Sequence, residues 1–425
     1  MSQARVQNNE AWTELSAIVG AEHLHPATPE DAVDALQPAG VIAPGTAQEV
    51  ARVLRYCGSA GLTIIPRGGG TQLGLGNRPR QADFVLSLER LNQVIEHAWG
   101  DMTVTVEAGC TIDKLQSVVR EHGQQLGADP RQPEQATVGG VLATAESGTL
   151  RIRYGAIRDL VLGLEMALPD GSVIKAGGKV VKNVAGYDLT KLAIGSLGTL
   201  GVITRAVFRL HPIPVATSTF AAMLPTASEA EKLVLAILDS HLVYTGLQIR
   251  ARREDQIFVH IRFEGIPESL QDQYVKLRRI AGAHEFVDCS GDVWMERQKL
   301  FANAASSVIC KCCVLPSQIG SLCDALFLHT KAADVAFTLV AQGTGLAEVR
   351  LDAAGQHTLM TVLSFLRSEV DRLGGTLTVA QCPVTMKSEM DVWGTIKDAL
   401  PLMLRIKQKF DPGETLNPGR FVGGI

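Results

Sequence analysis

Glycine placement constrains this chain more than any other feature. Its 41 glycines among 425 residues are bunched, notably at Gly68–Gly76, Gly139–Gly148, Gly171–Gly201 and Gly413–Gly424. No fixed period links the bunches, which excludes collagen-like and solenoid architectures. Glycine concentrates where the backbone takes a conformation barred to other residues, or where another group comes close to the main chain. Loops that receive a ligand are therefore expected at these positions.

At roughly 150 residues per domain, the length predicts two or three folded units. Lys and Arg number 40 against 44 Asp and Glu, a net charge of −4. That balance lacks the basic surplus with which a general nucleic-acid binder neutralises phosphates. A hydrophobic fraction of 46% with 20% charged residues fits packed cores rather than a disordered chain. No apolar run reaches the ~18 residues of a membrane span, and Met1–Glu10 lacks the apolar stretch of a secretory signal. Eight cysteines in a chain this long are no disulfide framework. A cytoplasmic protein is expected, peripheral to the inner face of the membrane only through partners.

Residues 1–35 read as a polar, helical N-terminal extension. Thr46 is placed to cap a helix through Gly58, and Leu62–Ile65 reads as a buried strand running straight into Pro66-Arg67-Gly68-Gly69-Gly70-Thr71. Phe84–Leu88 and Thr103–Glu107 alternate like half-buried strands, and Thr111–His122 reads as a helix. Pro169-Asp170-Gly171 is a hairpin turn between Leu162–Leu168 and Ser172–Ala176. The prolines of His211-Pro212-Ile213-Pro214 keep the backbone extended and close the glycine-rich region. The predicted organisation is an extension at 1–35, a glycine-rich domain at 36–214, an α+β domain at 215–400 and a tail at 401–425 returning to the first domain. Within the α+β domain, helices are expected near Ser228–Leu238, capped by Ser228, and near His357–Leu373.

Three nucleotide motifs can be tried on Gly68–Gly76. A Walker A loop requires a closing Gly-Lys-Ser/Thr, which is missing. A Rossmann turn opens directly into a helix, whereas Gly76-Asn77-Arg78-Pro79 resists one. A nest of consecutive N–H groups that receives phosphate oxygens needs no helix behind it, and Gly68-Gly69-Gly70 suits that reading. Arg67 would add a cation and Thr71 a hydroxyl; a plain surface turn is the alternative. Thr137, ahead of Val138-Gly139-Gly140, is placed to cap a second anion-attracting turn, with tight helix packing as the alternative.

These residues carry a resemblance. Arg67–Thr71, Ala136–Gly140, Tyr154-Gly155, Arg158-Asp159 and Leu168–Gly171, in that order, resemble a PCMH-type FAD-binding domain of the vanillyl-alcohol oxidase superfamily. Lys182–Leu189, Gly195–Thr204 and Phe410–Arg420 are similar to its 2-hydroxy-acid branch, and there most similar to the E-type FAD-binding subunits of bacterial glycolate oxidases. The resemblance implies an α+β fold: a small parallel α/β lobe and a larger, mainly antiparallel β lobe together hold FAD, and an α+β cap follows. Pro66, Arg67, Gly68, Gly69, Gly70, Thr71, Gln72, Pro130, Thr137, Gly139, Gly140, Ala143, Thr144, Gly148, Arg153, Tyr154 and Gly155 would surround the cofactor. Val202 and Ile203 would meet its adenine side, and Asn417 its flavin ring. Some relatives attach FAD covalently through a histidine in the first loop; none stands there, so non-covalent FAD is implied.

The resemblance further implies a subunit oxidising glycolate to glyoxylate beside a homologous catalytic FAD-binding subunit and an iron–sulfur subunit. An autonomous dehydrogenase for D-lactate or another 2-hydroxy acid is the alternative, and a structural subunit with a vestigial flavin site is the third. Catalytic-type relatives carry a glutamate where this chain has Leu197, and cap histidines that hold a metal, which are missing here; no metal is expected. Glu121-His122-Gly123 looks like such a motif but ends a helix in the wrong domain. Oxidising a 2-hydroxy acid requires cations for its carboxylate and a base for its hydroxyl. Arg250, Arg252, Arg350 and Lys387 are the candidate cations of the cap, against a solvated or salt-bridged surface role, and Lys182, inside a matched motif, is the better candidate for a position near the cofactor. His211 and His260 are considered as bases against a structural role, and no catalytic residue is assigned. Cys310, Cys312, Cys313 and Cys323 lack the C-x₂-C spacing of an iron–sulfur site and read as packing.

Overall fold

The computed structural model describes residues 9–178, 188–253, 256–396 and 398–425. The chain divides into two compact units, one built from 1–148, 155–213 and 395–425, the other from 149–154 and 214–394.

In the first unit, helix α1 (Asn9–Val19) leads to strands β1 (Leu24–Pro26) and β2 (Gly40–Ile42). The extension is thus not helical throughout, because β1 pairs antiparallel with β2 as a sheet edge. Helix α2 (Ala47–Ala60) begins at Thr46, whose hydroxyl accepts the Glu49 N–H at 3.1 Å, and ends at Gly61 in the left-handed conformation. Its Val50, Val53, Leu54 and Cys57 are fully buried, each of the three aliphatic side chains stabilising the fold by about 2 kcal/mol. Strands β3 (Ile64–Arg67) and β4 (Phe84–Ser87) are parallel, giving the sheet order β1-β2-β4-β3.

A second, antiparallel sheet contains β5 (Val94–Ala98), β6 (Thr103–Glu107), β7 (Val161–Ala167), β8 (Val173–Gly177) and β9 (Val202–Arg209), in the order β5-β6-β9-β7-β8. Asp170 Oδ1 accepts the Ser172 N–H at 2.8 Å, and Gly171 takes φ +85°, which closes the β7–β8 hairpin. Helices α3 (Ile112–Arg120) and α4 (Val138–Ala143) pack beside β5 and β6, respectively. The tail adds the helix Leu400–Phe410.

The second unit is one eight-stranded antiparallel sheet with its four long helices on one face. Its first half comprises β10 (Ala216–Leu224), α5 (Ala227–Leu238), β11 (Gly246–Arg252), β12 (Gln256–Gly265), α6 (Pro267–Ala281) and β13 (Val287–Asp288). The second comprises β14 (Val308–Cys313), α7 (Ile319–Ala333), β15 (Ala336–Gln342), β16 (Leu346–Asp352), α8 (Gln356–Arg372) and β17 (Thr376–Gln381). The order β13-β10-β12-β11-β15-β16-β14-β17 shows two consecutive βαββαβ units whose second strands, β11 and β15, pair with each other. Alternation sends Leu247, Ile249 and Ala251 into the core under the helices and Gln248, Arg250 and Arg252 to the other face. The α5 cap is Thr226, which accepts the Glu229 N–H at 3.1 Å, and Ser228 already lies inside the helix.

Cys310, Cys312 and Cys323 belong to this core, whereas Cys313 is exposed, so the cysteines do not converge on one point. Burial pushes the thiols of Cys310 and Cys323 up to about 12, which keeps them neutral packing groups.

Candidate functional site

The first unit contains a cleft of about 520 Å³, adjoined by one of about 400 Å³ that shares Pro66, Arg67, Gly68, Gly140, Ala143 and Leu197 with it. Strand β3 delivers its floor. Beyond Arg67 the backbone runs through Gly68-Gly69-Gly70-Thr71, and no hydrogen bond among the described residues uses those four N–H groups. A row of open amides is what an anionic oxygen requires. The glycines themselves answer to packing. A Cβ on Gly68 would lie 2.0 Å from Thr137 Oγ1, and one on Gly69 would lie 1.7 Å from the Gln135 carbonyl oxygen. It is the 135–137 segment that demands bare backbone, while the amides stay open.

The first three N–H groups of α4 already have acceptors within the protein. Val138 N–H donates to Cys110 O at 2.9 Å, Gly139 N–H to Ala108 O at 2.7 Å and Gly140 N–H to Thr137 Oγ1 at 3.4 Å. Thr137 caps the helix, and a Cβ on Gly139 would lie 2.9 Å from Ala108 Cβ, as tight packing requires. Arg67 is also committed, since its Nη1 lies 2.6 Å from Asp31 Oδ1. Burial alone would raise the Asp31 carboxyl; the Thr28 N–H and Arg67 bonds outweigh it and hold it below the usual carboxylate range.

Two acceptors in the cleft wall are buried without a partner, Gln72 Oε1 and Asn417 Oδ1. Gln72 Nε2 donates to Thr144 Oγ1 at 3.1 Å and to Glu146, whose carboxylate also accepts Arg131 Nε at 2.9 Å. Asn417 Nδ2 donates to Leu197 O at 2.6 Å, and its own N–H donates to Ile64 O at 3.0 Å. An orphaned buried acceptor costs about 1–3 kcal/mol until a donor arrives. The open amides, the orphaned acceptors and the adjoining clefts fit a dinucleotide with phosphate oxygens and ring or hydroxyl donors.

The cleft brings together Pro66, Arg67, Gly68, Gly69, Gly70, Thr71, Gln72, Thr137, Gly140, Ala143, Thr144 and Asn417, and its annex adds Gly139, Val202 and Ile203. Pro130, Gly148 and Gly155 belong to the same unit but do not line either space, and a Cβ on Gly148 would meet Asp129 Oδ1 at 2.1 Å. Arg153 and Tyr154 fall in the other unit, where Tyr154 Oη donates to Glu264 Oε2 at 3.4 Å. Leu73, Leu88, Leu197, Gly198, Gly201 and Arg420 line the clefts unforeseen. For Arg420 the signal was the closing residue of Asn417-Pro418-Gly419-Arg420. Its Nη2 donates to Leu75 O at 2.7 Å and to Leu73 O, and burial pulls its pKa down.

Among the candidate cations, Lys182 lies outside the described residues. Arg250 stands 3.7 Å from Glu296, which also pairs with Arg252 at 2.7 Å. Burial lowers the Arg250 pKa, Glu296 opposes this, and the Arg250 guanidinium lies 5.0 Å from the centre of the Phe258 ring. Arg350 pairs with Asp352 at 2.9 Å, and Lys387 is buried. Of the two histidines considered, His260 is 2% exposed, and burial pulls its ring down to about 4, with Arg250 adding to the effect. Among the described residues, no three His, Cys, Asp or Glu side chains gather where they could hold a metal ion, and no helix is long and apolar enough to cross a membrane.

Comparison with known proteins agrees with this geometry. Residues 38–177 match the FAD binding domain family. The chain is 28% identical to glycolate oxidase subunit GlcD of Bacillus subtilis (strain 168) over 90% of its own length and 88% of that protein. It is equally 28% identical to a D-lactate dehydrogenase of Archaeoglobus fulgidus, over 90% of this chain and 91% of that one. Among solved structures, p-cresol methylhydroxylase superposes with a TM-score of 0.78 at 15% identity, covering 97% of this chain and 96% of the other, a likeness of fold alone. Residues 38–177 are thus an FAD binding domain, and the chain, with FAD as its cofactor, is an FAD-dependent oxidoreductase.

Proposed function

We propose that this chain is the FAD-binding subunit of a complex that oxidises glycolate to glyoxylate, working beside a homologous FAD-binding subunit and passing electrons to an iron–sulfur partner. The observation that carries the reading is the likeness to a glycolate oxidase subunit along nearly the whole chain, not only across the FAD domain. Oxidation of a 2-hydroxy acid removes two electrons and two protons, and FAD when bound supplies the electron acceptor. The Gly68–Thr71 amides would hold its phosphate oxygens, with Gln72 Oε1 and Asn417 Oδ1 accepting from its donor groups. Pro130, Gly148, Arg153, Tyr154 and Gly155 remain proposed contributors, and binding would be non-covalent because Pro66–Gly76 carries no histidine.

The proposed division of labour, with this chain as the non-catalytic partner, draws on the second unit. Its arginines Arg250, Arg252 and Arg350 already face carboxylates, which leaves a substrate carboxylate competing for them. The complex would be cytoplasmic, meeting the membrane only through its assembly. An autonomous D-lactate dehydrogenase is the second reading, favoured by the equal likeness to the archaeal enzyme. A vestigial flavin site is disfavoured by the open amides and orphaned acceptors, which have no use without a ligand.

The test is an anaerobic visible spectrum of the FAD-loaded chain, before and after glycolate and then D-lactate, repeated with the co-purified complex. Bleaching by glycolate only in the complex is expected. Bleaching of the isolated chain by either acid would refute the non-catalytic reading. A chain that takes up no FAD would refute both enzyme readings. Acid precipitation should release the flavin into the supernatant.

A further inference from the structure

Lys407 is a buried cation with no part in the reading above. It is 5% exposed, the one buried side chain of the tail helix among the described residues. Its ammonium makes three bonds. Nζ donates to Thr199 O at 2.8 Å, to Leu416 O at 3.0 Å and to Asp411 Oδ2 at 2.6 Å. Asp411, 1% exposed, in turn accepts the Leu416 N–H at 2.8 Å and the Thr415 N–H at 3.0 Å.

The two carbonyls that share this ammonium belong to the two segments that supply residues lining the cleft. Thr199 adjoins Leu197, Gly198 and Gly201, which line it, and Leu416 precedes Asn417, which carries the orphaned acceptor. Asn417 and Leu197 both adopt positive φ, +48° and +52°, a conformation that a residue other than glycine keeps only when its surroundings hold it. A neutral group at 407 could not hold both carbonyls and neutralise Asp411, and the buried carboxylate would lose its partner.

We propose that Lys407 is a positioning residue for the cofactor: one buried ammonium fastens the 197–201 wall to the 416–417 wall, holding Leu197 and Asn417 at the spacing FAD requires. The proposal rests on FAD occupying this cleft. It also makes tail docking and cofactor binding reciprocal, since whatever tightens one must tighten the other by the same factor.

The experiment titrates FAD into cofactor-free full-length chain, wild type and Lys407→Met, following flavin fluorescence, with circular dichroism as the check of folding. Leu15→Ala in α1, a core truncation far along the chain from the tail, is the control for general loss of stability. Lys407→Met is expected to weaken FAD binding by at least tenfold, while Leu15→Ala changes it less than twofold. Equal affinity of Lys407→Met and wild type, or an equal loss in the control, would overturn the proposal while leaving FAD binding intact. Should Lys407→Met not fold, hydrogen exchange of the wild type decides. FAD is expected to slow the Leu197 and Asn417 amides together, and unchanged exchange at either would overturn the proposal. Wild type that takes up no FAD would instead refute the cofactor reading beneath it.

Discussion

His260 should make the second unit acid-sensitive through a single proton. The ring sits on β12 opposite Gln248, away from the helical core, 2% exposed and packed 6.0 Å from Phe258 and 6.4 Å from Trp294. Burial is the largest influence on it, Arg250 adds repulsion and Glu296 opposes both weakly, so the ring protonates only near about 4 instead of its ordinary 6.5. Between those two values the unfolded chain holds a proton that the native chain refuses. Stability therefore falls as pH drops from 6.5 toward 4, and it is flat above 6.5 as far as this group is concerned. At about 1.4 kcal/mol per pH unit, the loss is about 2 kcal/mol by pH 5 and about 3 kcal/mol by pH 4.

The measurement is urea unfolding of the wild type and of His260→Phe, followed by tryptophan fluorescence at several pH values from 7.5 to 4.5. Carboxylates such as Glu296 titrate in both proteins, so only the difference in slope belongs to His260. The wild type should lose about 2 kcal/mol more than the variant between pH 6.5 and pH 5. Parallel curves would show that the native ring takes up its proton normally, and the assigned burial effect would be wrong.

Two other substitutions test the cleft. Gly69→Ala should destabilise even the FAD-free chain by about 1–3 kcal/mol, because the new Cβ would lie 1.7 Å from the Gln135 carbonyl oxygen; thermal melts that matched the wild type, with only FAD affinity lost, would place the glycine's role at the ligand instead. Arg131→Met removes the cation that pairs at 2.9 Å with the Glu146 carboxylate, whose side chain is 1% exposed, and should cost about 3 kcal/mol by denaturant unfolding even though the residue-131 N–H and Gln72 still donate to it. Since Gln72 leans on Glu146, FAD affinity should fall as well, and a variant of wild-type stability would show that the pair is hydrated.

Local chemistry was the legible part. Thr46 and Gly61 bound a helix because a capping hydroxyl and a left-handed glycine act within a few residues of themselves. Where two hydroxyl residues compete within that range, as Thr226 and Ser228 do, pattern alone does not choose. Long-range pairing was not legible at all. Nothing in Arg67-Gly68-Gly69 announces that Asp31 will neutralise the arginine from 36 residues away, or that Arg420 will reach the Leu75 carbonyl across 345. The duplicated βαββαβ plan of the second unit is equally hidden, because strand alternation fixes which face a residue takes but not which strand lies beside it.

Gly68 and Gly69 have a structural cause that their sequence does not announce. Their sequence suits a nest for phosphate oxygens, yet the groups a Cβ on Gly68 or Gly69 would strike are Thr137 and Gln135 of the same protein. The two requirements are linked by geometry. Amides left open to a ligand on one side of a loop must be held from the other side, and the closest support is another backbone packed without side chains between. Glycine at Gly68 and Gly69 lets the 135–137 segment lie against the loop, and that contact leaves the N–H row free. A ligand loop thus acquires its glycine signature from the protein behind it, which is why Gly69→Ala should be felt before any FAD is added.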